Sequence, residues 1–467
     1  MPLLNDVHSQ LNATSVAAIY RPRTVADIQE LLHRARATRQ KVSVSGGRHA
    51  MGGQQFASNA MHLDMTAMHQ VLQADATQGL LHMEAGAMWP EIIAATRAMA
   101  TSQNGHAWAI RQKQTGVDQV TLGGSIAVNA HGRGLNLQPM CGDIESLEVL
   151  LPDGTLLNCN RQTHADLFSL VLGGYGLCGI VTSATLRLTP RLRVRRLVDI
   201  LDLEDAQAAI WRRVEQGCVY GDFQFVIDAN DPRFLTRGVL ACYEPVTGST
   251  VASAEASSEL PPQAWLELLH LAYTDKAAAF RRYAQHYLGT HGQVYDADTM
   301  QLATYLPDYA KLLESCTTDA PGTKESLIIG EHYVPYENIT AFMRAAQKIL
   351  RDHHSEVIYG TIRAIRQDDV SALPWAQQDS ACVIFNLRTS HTPQGLHTTA
   401  STFRALIDAA IQLGGSYYLC YHRFATAAQL RQAHPHIDAF AKMKKAIDPH
   451  ELLSSNWWRH ITAQLAS

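Results

Sequence analysis

SVSGGRHAMGGQQFA, residues 43–57, runs a strand-like segment into a turn that holds four glycines, an Arg and a His within eleven residues. Glycines reach φ > 0 and carry no Cβ, so such a turn exposes consecutive backbone N–H groups and lets a pyrophosphate approach them. A structural turn with an exposed His meets the same spacing equally well. Working outward, TVADIQELLHRARATR (24–39) has apolar residues at helical spacing behind a Thr cap with an acid three positions on, which predicts a helix. AMHLDM (60–65) and LLHMEAG (80–86) read as strands, and WPEIIAATRAMA (89–100) as a helix with Pro in its first turn. IESLEVLLPDGTLLNC (144–159) is a hairpin with PDG at its turn, and ADLFSLVLGGYGLCGIVTSATLRLTP (165–190) is a helix, a glycine turn and a long β run.

A second informative stretch is QVTLGGSIAVNAHGRG, residues 119–134, an apolar run interrupted by a Gly pair and closed by His-Gly-Arg-Gly. Small residues there would let a flat ring lie against the backbone, but by itself the stretch is more simply a buried strand with a tight turn. Residues 174–179 fit GxGxxG literally. The nicotinamide-binding fingerprint needs a strand before it and a helix after it, and here the order is reversed, so that reading is rejected.

At 467 residues the chain is too long for one small core. One unit is expected to end near Pro190. A second α+β unit follows, with strands at FQFVI (223–227) and GVLACYE (238–244), a polar insertion near 246–262, and helices on AWLELLHLAY (264–273) and ITAFMRAAQKIL (339–350). The residues after Gly414 begin as a strand, continue as a helix and end in a DP turn, and are expected to pack back onto a site. No repeat is found at solenoid periods. A net charge of -4 with mixed signs supplies no footprint for nucleic acid or an anionic membrane. No secretory signal and no membrane-spanning apolar run are read. Eight cysteines without a CxxC pair and 22 histidines without HExxH spacing argue against a metal or a disulfide framework. A reducing cytoplasm is the expected compartment.

Taken together, SGGRHAMGGQ (45–54), QVTLGGSIAVNAHGRG and ADLFSLVLGGYGLCGIVTSATLRL (165–188) resemble the FAD-binding domain of the vanillyl-alcohol oxidase and p-cresol methylhydroxylase superfamily, over about residues 15–190. AHPHIDAFAKMKKAIDPHELLSSNWWRH (433–460) resembles the closing segment of its sugar and aldonolactone oxidase branch. The resemblance implies an α+β, two-domain FAD-binding PCMH-type fold: residues 1–190 bind FAD, 191–414 form a substrate or cap domain, and 415–467 return to the FAD domain. SGGRHAMGGQ is similar to the turn of cytokinin dehydrogenases and sugar-alcohol oxidases, which implies an FAD linked covalently through His49. A neutral imidazole is a competent nucleophile for that bond. The second motif is similar to that of decaprenylphosphoryl-ribose oxidases, and the absence of Cys from 113–124 implies a single link.

Carried over by position, Ser45, Gly46, Gly47, Arg48 and Gln54 are expected to cradle the pyrophosphate and ribityl chain. Gly116, Thr121, Gly124 and His131 would lie along the flavin, with Gly179 and Val181 at the adenine half. His131 reads equally as a hydrogen-bonded histidine under a turn. On the substrate side, GEHYVPYENITAFMRAAQKIL (330–350) and TIRAIRQDDVSALP (361–374) resemble polyol and lactone oxidases, whose Glu and Arg hold substrate hydroxyls. Here the Arg is Arg363 and the Glu position is Thr361. The position of a catalytic Lys in several relatives is Tyr421, and that of the cytokinin dehydrogenases' Asp is Gly116, with Asp118 nearby. Candidates for proton handling are Arg363, Tyr418, Tyr421 and His422. In a regular strand over 417–422, Tyr418 and His422 would share a face opposite to Tyr421; a bulge would break that parity. The implied reaction takes a hydride from a small hydroxylated, sugar-like substrate, with oxygen or another acceptor reoxidising the flavin. Oxidation of a CH–NH group in the manner of cytokinin dehydrogenases, a flavin reductase and a flavin-binding scaffold without turnover are the alternatives.

Overall fold

The computed structural model describes residues 1–100, 107–246, 260–302 and 323–466. Most of the polar stretch near 246–262, and Cys316, lie outside the described residues. Thr24 caps the helix Val25–Ala37 through a capping box with Asp27. That helix buries Ile28 and Leu32 against Val42, Met61 and Leu63 of a parallel sheet whose strand order is Ala18–Tyr20, Met61–Asp64, Val42–Ser45. Beside it stands an antiparallel five-stranded sheet, ordered Leu156–Asn160, Ile144–Leu150, Ile180–Arg187, Leu80–Glu84, Val71–Asp75. The hairpin turns at Gly154, whose φ of +94 needs glycine.

The stretch 119–134 corrects the strand reading. Leu122–Val128 is a helix, started by Thr121 accepting from the Gly124 N–H and ended by Asn129 in the left-handed region. The Gly pair earns this geometry by packing: Gly123 N–H donates to the Ala85 carbonyl at 2.7 Å, and a Cβ on Gly123 would stand 3.0 Å from that of Ala85. Close packing on a neighbouring strand overrides the β-like composition.

The chain from Arg193 onward builds an antiparallel eight-stranded sheet, ordered Val294–Asp296, Arg193–Asp202, Arg237–Pro245, Tyr220–Phe225, Val357–Ile365, Ser380–Ser390, Glu325–Pro335, Ser416–Tyr417. Because side chains alternate along a strand, Val383, Phe385 and Leu387 enter one core beneath the helices Ile339–Asp352 and Pro393–Gln412. Cys382, Ile384 and Asn386 therefore face the other side. The same parity puts Glu331 and Arg363 on that second face, since Ile328, Ile362 and Ala364 are in the first core.

The expected strand over 417–422 ends at Tyr417. Beyond it the Tyr418 N–H still bonds the Glu331 carbonyl, but the next carbonyls serve the glycine turn: Cys420 accepts the N–H groups of Met51 and Gly52, and Leu419 accepts from Gln54 Nε2 at 2.6 Å. Those bonds end the ladder and tie the sheet to the turn. Of the residues that follow, Leu430, Phe440, Trp457 and Trp458 join the core of the five-stranded sheet, and the Ser454 N–H bonds the Val42 carbonyl. The single C-terminal helix expected from sequence is instead Ala427–Ala433, Ile437–Ile447 and Asn456–Ala466. Asp448 fixes the turn before the last, accepting from the N–H groups of Leu452 and Leu453 and pairing with Lys444.

Burial pushes His62 down to about 4 and His332, His422 and His434 to about 3. The unfolded chain binds those protons near pH 6.5, so the neutral imidazoles stabilise the fold fully above that pH, and the stability is lost as pH falls toward 4. Each site removes up to about 1.4 kcal/mol per pH unit in that window. Urea midpoints are expected to be level above about pH 7 and to drop steadily between about pH 6.5 and 5; level midpoints down to pH 5 would refute the assignment.

Candidate functional site

The strand Val42–Ser45 delivers its glycine turn against the segment that precedes the helix Leu122–Val128. The contact leaves no room for side chains: a Cβ on Gly46 would lie 1.9 Å from Thr121 Oγ1, and one on Gly47 2.1 Å from the Gln119 carbonyl oxygen. Arg48 sits at φ 60, Gly116 at φ 85. A Cβ on Gly179 would strike Val149 at 2.4 Å. These segments form the wall of a cavity of about 1430 Å³, above the few hundred to 1000 Å³ usual for one drug-sized ligand. Ser45, Gly46, Gly47, Arg48, His49, Gln54, Gly116, Thr121, Gly124, His131, Gly179 and Val181 all line it. Among the described residues, Gln54 Oε1 and Thr115 Oγ1 are buried there without a hydrogen-bond partner, a vacancy that a polar ligand would fill.

His49 Nδ1 lies 2.8 Å from His8 Nε2, with ring centroids 4.8 Å apart. Burial, then the neighbouring His8, pushes the His49 imidazole down to about 4, so it is neutral and nucleophilic at pH 7. A Cβ at Gly47 would also meet His49 Nε2 at 3.2 Å, so the glycine makes room for that ring. His8 was not legible as a partner; the Val7 N–H, bonded to the Arg48 carbonyl at 3.1 Å, brings it in across forty residues of sequence.

The opposite wall is the second face of the eight-stranded sheet. Arg363, Tyr418 and Tyr421 line the cavity there, together with Glu331 and Asn386, which sequence reasoning missed. A signal existed for both, since each interrupts an apolar strand with a polar side chain that burial would penalise. His131 joins the two walls. Its Nδ1 is 3.1 Å from the Gly132 carbonyl and its Nε2 is hydrogen-bonded to Glu331 Oε1, so it is both bonded under its turn and in contact with the cavity. Burial raises a carboxyl, but the charge and hydrogen bond of His131, with a bond from Cys382, outweigh it and hold Glu331 at about 2.

His422 is placed elsewhere. It stacks between Phe403 and Phe424, at ring distances of 4.4 and 5.0 Å, and is absent from the cavity lining. The turn after Tyr417 removes the parity on which its selection rested. Thr361, at the position of the relatives' Glu, gives its hydroxyl to Asp222 and the Phe223 carbonyl within the sheet. Asp118 lines the cavity and pairs with Lys113 at 2.8 Å. Among the described residues no helix is long and apolar enough to cross a membrane.

Residues 16–160 match a family model described as an FAD binding domain. An uncharacterised oxidoreductase in the fasciation locus of Rhodococcoides fascians is 31% identical over 173 residues, 36% of each chain. Cytokinin dehydrogenase 10 of rice is 24% identical over 41% of this chain and 37% of its own. L-gulono-1,4-lactone dehydrogenase of Mycobacterium tuberculosis is 21% identical over 95% of this chain and 96% of its own. The matches to the first two thus span little more than a third of those relatives' length. The glycine wall and the orphaned polar atoms fit an FAD, which Ser45 to Gln54 and Gly116 to Gly124 would hold.

Gly47→Ala is expected to weaken FAD retention about tenfold or more, because the Cβ needs space held by the Gln119 carbonyl. The ratio of flavin to protein absorbance after purification measures it. Gly289→Ala, with nothing within 4 Å of its Cβ, is the control that should retain the flavin; equal retention by both variants would refute the close-contact argument.

Proposed function

We propose that this chain is an FAD-dependent oxidoreductase of the FAD-binding PCMH-type superfamily whose flavin is linked through His49. In this reading it oxidises a CH–OH group of a sugar-like or other small hydroxylated donor and passes the electrons to oxygen or another acceptor. The observation that carries the proposal is the continuity of one cavity, from the glycine wall at His49 to the polar sheet face at Glu331 and Arg363. When bound, FAD supplies the hydride acceptor. The chain supplies the rest. Residues 1–190 with 415–467 form the FAD-binding unit, and 191–414 cap it with the sheet face that meets the donor.

Arg363, whose Nε has no hydrogen-bond partner among the described residues, is available to hold a donor oxygen. The Tyr418 hydroxyl donates to the Val128 carbonyl at 2.7 Å, which fixes its ring and leaves its oxygen an acceptor. Tyr421 stands edge-on to it, 5.4 Å between centroids. Together they narrow the space between the walls and orient the donor.

Oxidation of a CH–NH donor is the second reading, and a specific feature favours it: Trp265, Leu268, Phe280, Leu327 and Ile358 give the cavity an apolar lobe, more than a free sugar needs.

The wild-type protein is expected to be yellow and to stay yellow after acid precipitation, since a covalent bond survives unfolding. His49→Ala should release the flavin to the supernatant; a colourless wild-type pellet would refute the link and leave FAD binding intact. An anaerobic donor panel then separates the two substrate readings by flavin bleaching. Bleaching by isoprenoid adenines and by no sugar, polyol or lactone would overturn the carbohydrate reading.

A further inference from the structure

Hydrogen-bond accounting around Glu331 leads to a role that the carried-over motifs do not contain. Three groups converge on its Oε1: His131 Nε2, the Cys382 thiol at 2.9 Å and the Tyr333 hydroxyl at 3.0 Å. The other His131 nitrogen faces the Gly132 carbonyl, an acceptor only, so Nδ1 carries a proton. Nε2 then faces a carboxylate oxygen, and two lone pairs cannot meet at hydrogen-bond distance. A second proton lies between them. Oε1 is saturated.

Oε2 is not. Glu331 is 2% exposed, its Oε2 has no hydrogen-bond partner among the described residues, and the residue lines the cavity beside Arg363. A buried acceptor left unmet costs about 1–3 kcal/mol, and more when charged. A donor hydroxyl at this wall of the cavity would satisfy it.

We propose that Glu331 is the catalytic residue that receives the donor's O–H proton at Oε2, with His131 as the positioning residue that holds its other oxygen and keeps its carboxylate charged. The proposal rests on the reading of this cavity as the donor site. The donor is then a neutral molecule with a hydroxyl on the carbon to be oxidised. A bound FAD would supply the acceptor for that carbon's hydride, which leaves with both electrons of the C–H bond. The O–H pair closes the new C=O, and the proton moves to Oε2, so atoms and charge balance. Arg363 holds the carbonyl oxygen as it forms. The Glu that relatives carry at position 361 is thereby supplied from the strand Glu325–Pro335, two strands away across Ser380–Ser390.

The titratable and charged groups that interact with Glu331 are His131, His332, Tyr333, Arg363, Cys382, Tyr418, Cys420 and Tyr421, and His131 is the strongest of those that oppose burial. Removing it fixes the sign of the pH effect. In His131→Gln, burial pushes the Glu331 carboxyl upward, so anaerobic flavin reduction is slow at low pH and recovers as pH rises, whereas the wild-type rate is level over about pH 5–8. Glu331→Gln keeps the volume, loses the charge and slows flavin reduction about 100-fold or more. The probes are xylitol, L-gulono-1,4-lactone and an isopentenylated adenine, and the fastest in the wild type is used for the variants.

An infrared difference between wild type and Glu331→Gln gives a readout independent of turnover: the Glu331 band is that of a carboxylate at pH 5 in the wild type and of a carboxylic acid in His131→Gln. Reduction in Glu331→Gln within threefold of wild type overturns the assignment of Glu331 while leaving the donor site standing. An absent acidic limb in His131→Gln, or a carboxylic acid band at pH 5 in the wild type, overturns the role of His131. If no probe bleaches the wild-type flavin, the donor-site reading fails and this proposal fails with it.

Discussion

The contact of the glycine turn at 46–47 with the Gln119 carbonyl and the Thr121 side chain is the constraint on which the rest of the site depends. At 1.9 Å from Thr121 Oγ1 and 2.1 Å from the Gln119 carbonyl oxygen, a Cβ at either glycine has nowhere to go, so the turn packs against both segments without side chains of its own at 46 and 47. The close approach fixes the start of the helix Leu122–Val128, because Thr121 must both touch Gly46 and cap that helix. It also leaves the far side of the turn free to bond elsewhere. The Met51 and Gly52 N–H groups take the Cys420 carbonyl, and through that bond the position of the turn sets the position of Tyr418 and Tyr421.

The wall opposite is made by a different rule. Side-chain alternation in the eight-stranded sheet sends one set of residues into an apolar core and the other toward the cavity. On the cavity face the sheet carries a carboxylate, a guanidinium and an amide, and it closes the account for the carboxylate with an imidazolium from the glycine-wall side. A buried ion pair is a weak source of stability. The His131–Glu331 pair is better understood as a way to keep a buried carboxylate charged, with the large apolar cores on either side offsetting its desolvation.

Neutral histidines mark the same economy elsewhere. His422 fills an aromatic stack with Phe403 and Phe424, behaving as an apolar ring because its surroundings offer no charge to hold a proton. The imidazoles of His49 and His422 are thus both kept neutral by burial, one against a partner in the cavity and the other in the core.

The local elements of the N-terminal half were legible because their signals are local: a Thr cap with Asp27 three residues on, a PDG hairpin, glycines where φ is positive. The mixed helix and strand content and the glycine lining of the cavity followed from the same stretches, since a backbone-lined turn is written in glycine. Three things were decided by the tertiary structure. The helix Leu122–Val128 forms in a stretch of strand-like composition because Gly123 fits against Ala85, a contact invisible along the chain. The strand at 416 stops after Tyr417 because the glycine turn, more than 360 residues earlier, takes the next carbonyls, and that stop decides which side chains of 418–422 reach the cavity. Glu331 and His131, 200 residues apart, acquire their chemistry from each other; a sequence states which residues can ionise, whereas the charge each carries is set by what the fold places beside it.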